Sequence, residues 1–326
     1  MAHCLGMAIW LSEADVRGVL SLPDLIETIE SAVVAFSAGK ATQPVRTVIE
    51  TPGGVFASMP AYLGSIPAMG AKLVTVFHGN TSKGLPTHLA TIVLLDPQTG
   101  GLLATMDGRY ITEVRTAAAS AVAARHLALA DASVLAIVGS GVQARSHLEM
   151  LPLVRKFSDI RCWSPTAINV EKLVSEFDRL PVRSVASAQA AVEGADVIAL
   201  VTASNAPVIQ DSWVKPGACV ISVGACRPTQ REMDPALVAR AILVVDLRAA
   251  ALKESGDIVQ GIREGRFDET HIAAELGQVA ADPRLGRTNT SQITIFKSLG
   301  MAVEDVAAAH LVYIGAMQMA KGAALG

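Results

Sequence analysis

The residues with the clearest chemical potential are a glycine turn and three cations in apolar surroundings. Val138-Gly139-Ser140-Gly141-Val142-Gln143-Ala144 reads G-x-G-x-x-A. It directly follows the apolar run Val134–Val138 and directly precedes a helical pattern. In such a turn the first glycine permits the tight bend, and the second lets the backbone approach a pyrophosphate. The third small residue allows close helix–strand packing, and the helix N-terminus offers free N–H groups to phosphates. Glycine turns also occur without ligands, but strand before and helix after is the setting a dinucleotide site requires. Gly139, Gly141, Val142 and Gln143 are therefore candidate cofactor residues.

The next predicted strand ends Cys162-Trp163-Ser164-Pro165-Thr166, with hydroxyls where an NAD site usually carries an acid for the ribose 2′-OH. Without a carboxylate there is no repulsion against a 2′-phosphate, which Ser164 and Thr166 can hydrogen-bond. No arginine in the stretch clamps it, so the reading is NADP(H) preferred with NAD(H) open. The plainer alternative is that Ser164 and Thr166 only cap the following helix.

Lys72 lies in Met69-Gly70-Ala71-Lys72-Leu73-Val74-Thr75-Val76, where a period of two puts it beside Val74 and Val76. Burial of a lysine lowers its pKa toward values useful in proton transfer. An edge-strand lysine reaching water is the alternative. Arg46, in Pro44-Val45-Arg46-Thr47-Val48-Ile49, reads as a strand residue. Arg115 is expected just ahead of an alanine-rich helix, where a cation opposes the helix dipole and calls for an anion. Two arginines and a lysine together make a carboxylate clamp, although each alone is more often an ion-pair partner. Of His78 and His88, His78 reads as structural.

These residues need a framework. Helices are expected over Ser12–Val19 and Leu22–Ala38, the first opening on a Ser12/Asp15 capping pattern. Strands are expected at Val45–Glu50, Val55–Pro60, Gly70–Phe77 and Leu89–Asp96, with turn chemistry at Asp96–Gly100. A helix follows from about Thr116 to Ala130. The middle alternates: strands Val134–Val138, Asp159–Trp163, near Val182, Val197–Val201, Cys219–Val223 and Ile242–Val245. Between the earlier ones lie helices Gln143–Arg155, Ile168–Phe177 and Ser187–Glu193, and a last helix covers Ala302–Ala320. Repeated βα units mean a parallel sheet with helices on both faces. The expected fold class is α/β, a Rossmann-type doubly wound sheet over residues 118–300. An α+β substrate and dimerisation domain is built from 1–117 and 301–326.

Composition narrows the function. At 326 residues, 51% hydrophobic and 17% charged, the chain can bury a large core. A net charge of -3 with no basic run, and 4% aromatics, argue against nucleic-acid and membrane surfaces. The cysteines, Cys4, Cys162, Cys219 and Cys226, form no CxxC pair, so no metal site and a reduced cytoplasmic compartment are expected. Met1–Trp10 lacks a basic start and a long apolar core, so no secretory signal is expected.

Several segments together carry a resemblance. They are Pro44-Val45-Arg46, Met59-Pro60-Ala61-Tyr62, Gly70-Ala71-Lys72-Leu73-Val74 and Met106-Asp107-Gly108 with Thr112 to Ala117. The glycine turn, Leu252-Lys253-Glu254-Ser255-Gly256-Asp257 and Phe296-Lys297-Ser298-Leu299-Gly300 complete the set. Over nearly the whole chain this resembles the ornithine cyclodeaminase/mu-crystallin family. The resemblance implies a homodimer in which Arg46, Lys72 and Arg115 surround a substrate carboxylate and reacting nitrogen, with Arg115 also near the cofactor. It implies that Thr87, His88, Thr202, Val223, Gly224 and Ser298 lie near the cofactor, and Leu299 and Glu254 on the substrate side.

The family includes cyclodeaminases, amino-acid dehydrogenases and cyclic-ketimine reductases. In ornithine cyclodeaminases an aspartate follows the Val-Gly strand end, where Ser222-Val223-Gly224-Ala225-Cys226-Arg227-Pro228 places Cys226. A thiol at ordinary pKa does not replace a carboxylate that binds an ammonium, which disfavours direct ornithine deamination. Arg227-Pro228 is also more like the reductase and mu-crystallin branch. The expectation is NAD(P)H-dependent reduction of a cyclic imino acid, with Lys72 catalytic. An alanine-type dehydrogenase and a non-catalytic nucleotide-binding protein are the rivals. Cys226 reads as a small strand-end filler, with a proton donor as the alternative.

Overall fold

The structure, a computed structural model, describes residues 8–325. Cys4 and most of the segment read for a secretory signal lie outside the described residues. The chain divides into two compact units, one from the chain up to Arg115 together with that from Met301 onward, the other Thr116–Gly300. Strands and helices are numbered in chain order.

The first unit is built on one sheet of β1 (Ala8–Leu11), β2 (Ala41–Thr42), β3 (Thr47–Thr51), β4 (Gly54–Leu63), β5 (Ala68–Val76), β6 (His88–Leu95), β7 (Leu102–Asp107) and β16 (Ala323–Leu325). Their order is β16-β1-β7-β6-β5-β4-β2, with β3 also paired to β4. Alternation decides which side chains go in. Ala57, Met59, Ala61 and Leu63 of β4, Ala68 and Lys72 of β5, and Ala90, Ile92 and Leu94 of β6 are buried. The register sets Met59 and Ile92 on either side of Lys72. The helices α1 (Glu13–Val19), α2 (Leu22–Ser37) and α11 (Ala302–Gln318) belong to this unit. Ser12 and Asp15 form the expected capping box of α1. Helix α11 lies beside α2 and across β4, β5 and β6, covering the inward face. On the opposite parity Tyr62, Leu73 and Leu89, with Trp10 of β1, are exposed.

The second unit is an all-parallel sheet of β8 (Val134–Val138), β9 (Asp159–Trp163), β10 (Val182–Ser184), β11 (Val197–Leu200), β12 (Cys219–Ser222), β13 (Ile242–Val245), β14 (Ile272–Glu275) and β15 (Thr294–Lys297). The order β10-β9-β8-β11-β12-β15-β13-β14 reverses direction at β8. That reversal, between β8 and β11, is the switch point where doubly wound sheets bind ligands. Connecting helices are α4 (Val142–Val154), α5 (Ala167–Ser175), α6 (Ala188–Val192), α7 (Pro235–Arg240), α8 (Arg248–Glu254), α9 (Gly256–Arg263) and α10 (Leu276–Ala281). The central strands β8, β11 and β12 are buried almost throughout, as their apolar runs require, with Ser222 the polar residue among them. No helix among the described residues is long and apolar enough to cross a membrane.

Three sequence expectations need correction. Helix α3 runs Arg109–Leu127, so Arg115 is inside it rather than ahead of its first residue. The helix starts early because Asp107 accepts the Arg109 N–H at 2.9 Å, doing the work of a cap across Gly108. Arg46 is not on a strand: β3 begins at Thr47, after a segment containing Pro44, which has no N–H to give a ladder. Strand β15 was not foreseen, although it fills the sheet between β12 and β13; its four residues, Thr-Ile-Phe-Lys, are too short and too polar at the ends to read as a core strand.

One buried histidine has a consequence for stability. His147 of α4 is fully buried, with Nδ1 2.7 Å from the Gln143 carbonyl and Nε2 2.8 Å from the Ser120 hydroxyl. Since a carbonyl only accepts, Nδ1 carries the proton and Nε2 accepts from Ser120. Burial pushes the imidazolium pKa down from 6.5 to about 4. A neutral group favoured by folding stabilises fully above pH 6.5 and loses that contribution as pH falls toward 4. The loss amounts to about 3 kcal/mol at 1.4 kcal/mol per unit. Urea unfolding of the wild type and of His147→Gln at pH 7, 5.5 and 4 should therefore converge as the pH falls. A constant gap between the two would refute the assignment.

Candidate active site

In the first unit the sheet and α11 bring four charged side chains together out of water. Lys72 is 2% exposed and Arg115 4%, while Glu304 and Asp305 are 0% exposed. The Lys72 Nζ lies 2.8 Å from both Asp305 carboxylate oxygens. Arg115 donates from Nε to Asp305 at 2.9 Å and from Nη1 to Glu304 at 2.8 Å. Glu304 also accepts the Met301 N–H at 3.1 Å, which closes the start of α11. Both acids sit in the first turns of that helix, where the dipole favours negative charge.

Burial pushes the Lys72 ammonium down to about 8, opposed by Asp305 and reinforced by the Arg115 and Arg46 cations. For Arg115 burial acts downward too, but Asp305 and Glu304 outweigh it and hold the guanidinium above its usual value. Arg46 is half-buried in the segment before β3 and adds its field to Lys72. The anion expected near Arg115 is present, but as two tertiary partners rather than as an answer to a helix dipole. Thr87 and His88 sit at the start of β6, where the Thr87 hydroxyl lies 3.1 Å from His88 Nδ1. His78 is exposed in a short 3-10 turn, His78–Lys83.

In the second unit the glycine turn joins β8 to α4. Gly139 has φ +127°, and a Cβ there would stand 2.7 Å from the Val201 carbonyl, so the position admits only glycine. Gly141 is the N-cap of α4 with no side-chain cap, and nothing lies within 4 Å of where its Cβ would be. Val142 is exposed, and the Gln143 Oε1 is buried without a hydrogen-bond partner. An uncapped N-terminus in open space suits phosphate, and an orphaned acceptor suits a hydroxyl donor. A dinucleotide brings both, so these residues fit one.

Ser164 lies 2.8 Å from the Ser140 hydroxyl and donates to the Thr166 carbonyl at 3.3 Å, tying the end of β9 to the glycine turn. Thr166 occupies the N-cap of α5 but makes no side-chain cap bond, and it is exposed.

A second buried charge network shapes the strand ends beside this turn. Glu232 accepts the Thr202 N–H at 2.6 Å and its hydroxyl at 2.9 Å. It also accepts Gly224 N–H at 2.9 Å, Ala225 N–H at 3.2 Å and the Ser222 hydroxyl at 3.0 Å. Asp257 in turn accepts the Glu232 and Met233 N–H groups at 2.8 and 2.9 Å. The Lys297 ammonium donates to Ser222 at 3.0 Å and lies 3.4 Å from Asp257. Burial raises the Glu232 carboxyl, Lys297 opposing and Asp257 adding to the effect. Lys297 is lowered by burial but held above its ordinary value by Asp257 and Glu232. Gly224 is required here: a Cβ would lie 1.8 Å from the Thr202 carbonyl. The network thus fixes Thr202, Val223 and Gly224 at the ends of β11 and β12. Ser298 and Leu299, both buried, follow β15, where Asp246 accepts the Gly300 N–H at 2.6 Å. Glu254 ends α8, half-buried, and Cys226 is exposed, its thiol donating to the Val223 carbonyl at 3.1 Å.

Sequence reasoning missed Glu304, Asp305, Glu232, Asp257 and Lys297 as members of these clusters. Asp257 and Lys297 stood inside the segments that carry the family resemblance, and Glu304 and Asp305 were visible as acids opening an apolar helix. Their partners are set by tertiary structure alone.

Residues 8–319 match the profile of the ornithine cyclodeaminase/mu-crystallin family. The chain is 44% identical to the rat (Rattus norvegicus) ketimine reductase mu-crystallin over 294 residues, 89% of this chain and 91% of that one. Its structure is similar to that of Thermococcus litoralis Δ1-pyrroline-2-carboxylate reductase in complex with NADH and L-proline. The TM-score is 0.94 at 38% identity, over 97% of this chain and 100% of that one. It is likewise similar to an archaeal alanine dehydrogenase dimer with bound NAD, at TM-score 0.94 and 31% identity, covering 98% and 99% of the two chains. A family match over nearly its whole length, with the glycine turn and the buried cations in their expected segments, shows that this chain belongs to the ornithine cyclodeaminase/mu-crystallin family.

Proposed function

We propose that this protein reduces a cyclic imino acid to the corresponding L-amino acid with a nicotinamide cofactor. The substrate is Δ1-pyrroline-2-carboxylate or Δ1-piperideine-2-carboxylate, and the product L-proline or L-pipecolate. The observation that carries this reading is a lysine buried at 2% exposure beside arginine, in a chain 44% identical to a ketimine reductase.

Reduction of C=N needs a hydride at carbon and a proton at nitrogen. When bound, the nicotinamide supplies the hydride. Arg46 and Arg115 hold the substrate carboxylate, which fixes the ring and keeps the reacting carbon in one orientation. Lys72 gives its proton to the imine nitrogen, so the electrons of the C=N bond are drawn away from the carbon under attack. Gly139, Gly141, Val142 and Gln143 would hold the pyrophosphate and ribose of the cofactor, and Thr202, Val223, Gly224 and Ser298 would meet its nicotinamide end. Leu299 lines the substrate side. The absence of an acid after β9 and the exposed Thr166 hydroxyl favour NADP(H), with NAD(H) accepted. The apolar outward face of the first unit's sheet, with Trp10, Tyr62, Leu73 and Leu89, is covered by a second copy in a homodimer.

The purified protein should oxidise NADPH faster than NADH with either imine, and without added ammonia. No turnover with both imines, together with ammonia-dependent turnover of pyruvate, would replace this reading with an alanine-type dehydrogenase. Lys72→Met should lower kcat by at least about 100-fold, the scale of one proton transfer, with nucleotide affinity unchanged. Full activity in that variant removes Lys72 from the chemistry. Because the protonated lysine is the donor and its pKa is about 8, reductive turnover should fall as pH rises through that value. Tyr62→Glu should halve the mass measured by light scattering; an unchanged mass would move the dimer interface elsewhere.

A further inference from the structure

We propose that Asp305 is the positioning residue of this site, holding the Lys72 ammonium protonated and aimed. The inference rests on the reading of Lys72 as proton donor, and it concerns a residue with no role in the sequence expectations.

Lys72 is packed between Met59 of β4 and Ile92 of β6, both buried and neither able to hydrogen-bond an ammonium. The charged groups facing it come from three other places. Arg115 of α3 and Arg46 before β3 are cations, and both disfavour the protonated lysine. Asp305 of α11 is the anion in contact, its Oδ1 accepting the Nζ hydrogen bond at 2.8 Å with Oδ2 also 2.8 Å from Nζ, and Glu304 reaches Arg115 instead. A lysine with two arginines for neighbours and apolar walls on either side keeps its proton at neutral pH only if a carboxylate touches it.

Asp305 is itself well fixed. It lies in the opening turns of α11, where the dipole favours its charge, and Arg115 Nε binds it from the side at 2.9 Å. The hydrogen bond from Nζ to Asp305 Oδ1 restricts where the other two ammonium hydrogens can point. When the lysine gives a proton to the imine nitrogen, the N–H bond passes to the substrate and a neutral amine remains against Asp305. Solvent then returns one proton and restores the pair. Asp305 touches neither substrate nor nicotinamide in this scheme; it acts through Lys72.

The test is Asp305→Asn, with Asp305→Glu as the conservative variant in case the amide leaves Arg115 too poorly paired to fold. Lysine Nζ titration is followed by NMR on 15N-lysine protein, with Lys72→Met identifying the resonance. Removing the carboxylate should lower the Lys72 midpoint by about one to three pH units. The alkaline limb of kcat/KM should move down by the same amount, with nucleotide affinity unchanged. Asp305→Glu should restore most of both. An unmoved midpoint in Asp305→Asn overturns the inference, as does a lowered midpoint with an unmoved alkaline limb. If the wild type reduces neither imine, the proposed reaction fails, while the titration still decides whether Asp305 controls Lys72.

Discussion

A lysine ammonium inside a sheet face is expensive to keep, because a charge taken out of water loses several kcal/mol of solvation even after relaxation. The contact between Lys72 and Asp305 offsets that cost, and much of the first unit is arranged to permit it. The carboxylate must arrive on a covering helix, so α11 lies across β4, β5 and β6. The helix must present its N-terminal end, since an acid is stabilised there and not at the other end. The second acid, Glu304, accepts from Arg115, which would otherwise be a third cation with only one carboxylate to share. Removing Asp305 would leave Lys72 as a buried charge without its carboxylate, the situation in which such clusters become strongly destabilising.

The same device recurs in the second unit with another purpose. Lys297, Asp257 and Glu232 are all buried, but the charge there is spent on backbone groups. Glu232 alone gathers three N–H groups and two hydroxyls from the ends of β11 and β12. Loops at the carboxyl ends of parallel strands have few ladder bonds to hold them, and they are where a ligand must be met by groups in fixed positions. A carboxylate accepting several N–H bonds is a compact way to set such loops. The first cluster thus holds charged side chains against one another, and the second holds backbone in shape.

Much of this was legible in the sequence, and the reasons for what was not are physical. The glycine turn could be read because its function depends on local backbone geometry: Gly139 needs a positive φ, and Gly141 needs open space above a helix end. Lys72 could be read because period two is a strong local rule and a lysine breaks it visibly. Arg46 and the start of α3 were misplaced because Pro44 lacks the N–H a ladder needs and Asp107 caps Arg109, each moving an element end by a few residues. Strand β15 escaped because only its two central residues, Ile295 and Phe296, are apolar, too few to mark a core strand. Glu232, Asp257, Glu304 and Asp305 escaped for a different reason. An isolated acid has no local signature that tells a solvated surface from a buried pair.

That last point bears on how the chain folds. Lys72 and Asp305 are separated by 233 positions, and all of the second unit lies between them in the chain. Until α11 is in place the inward face of β4, β5 and β6 lacks its cover, and Lys72 remains free to keep its proton in water. Docking α11 buries the apolar face and the lysine together, so the hydrophobic gain and the ion pair arrive in one step. A misregistered α11 would leave Lys72 without its carboxylate. The ion pair therefore discriminates between registers: the one that brings Asp305 to Lys72 leaves neither charge uncompensated.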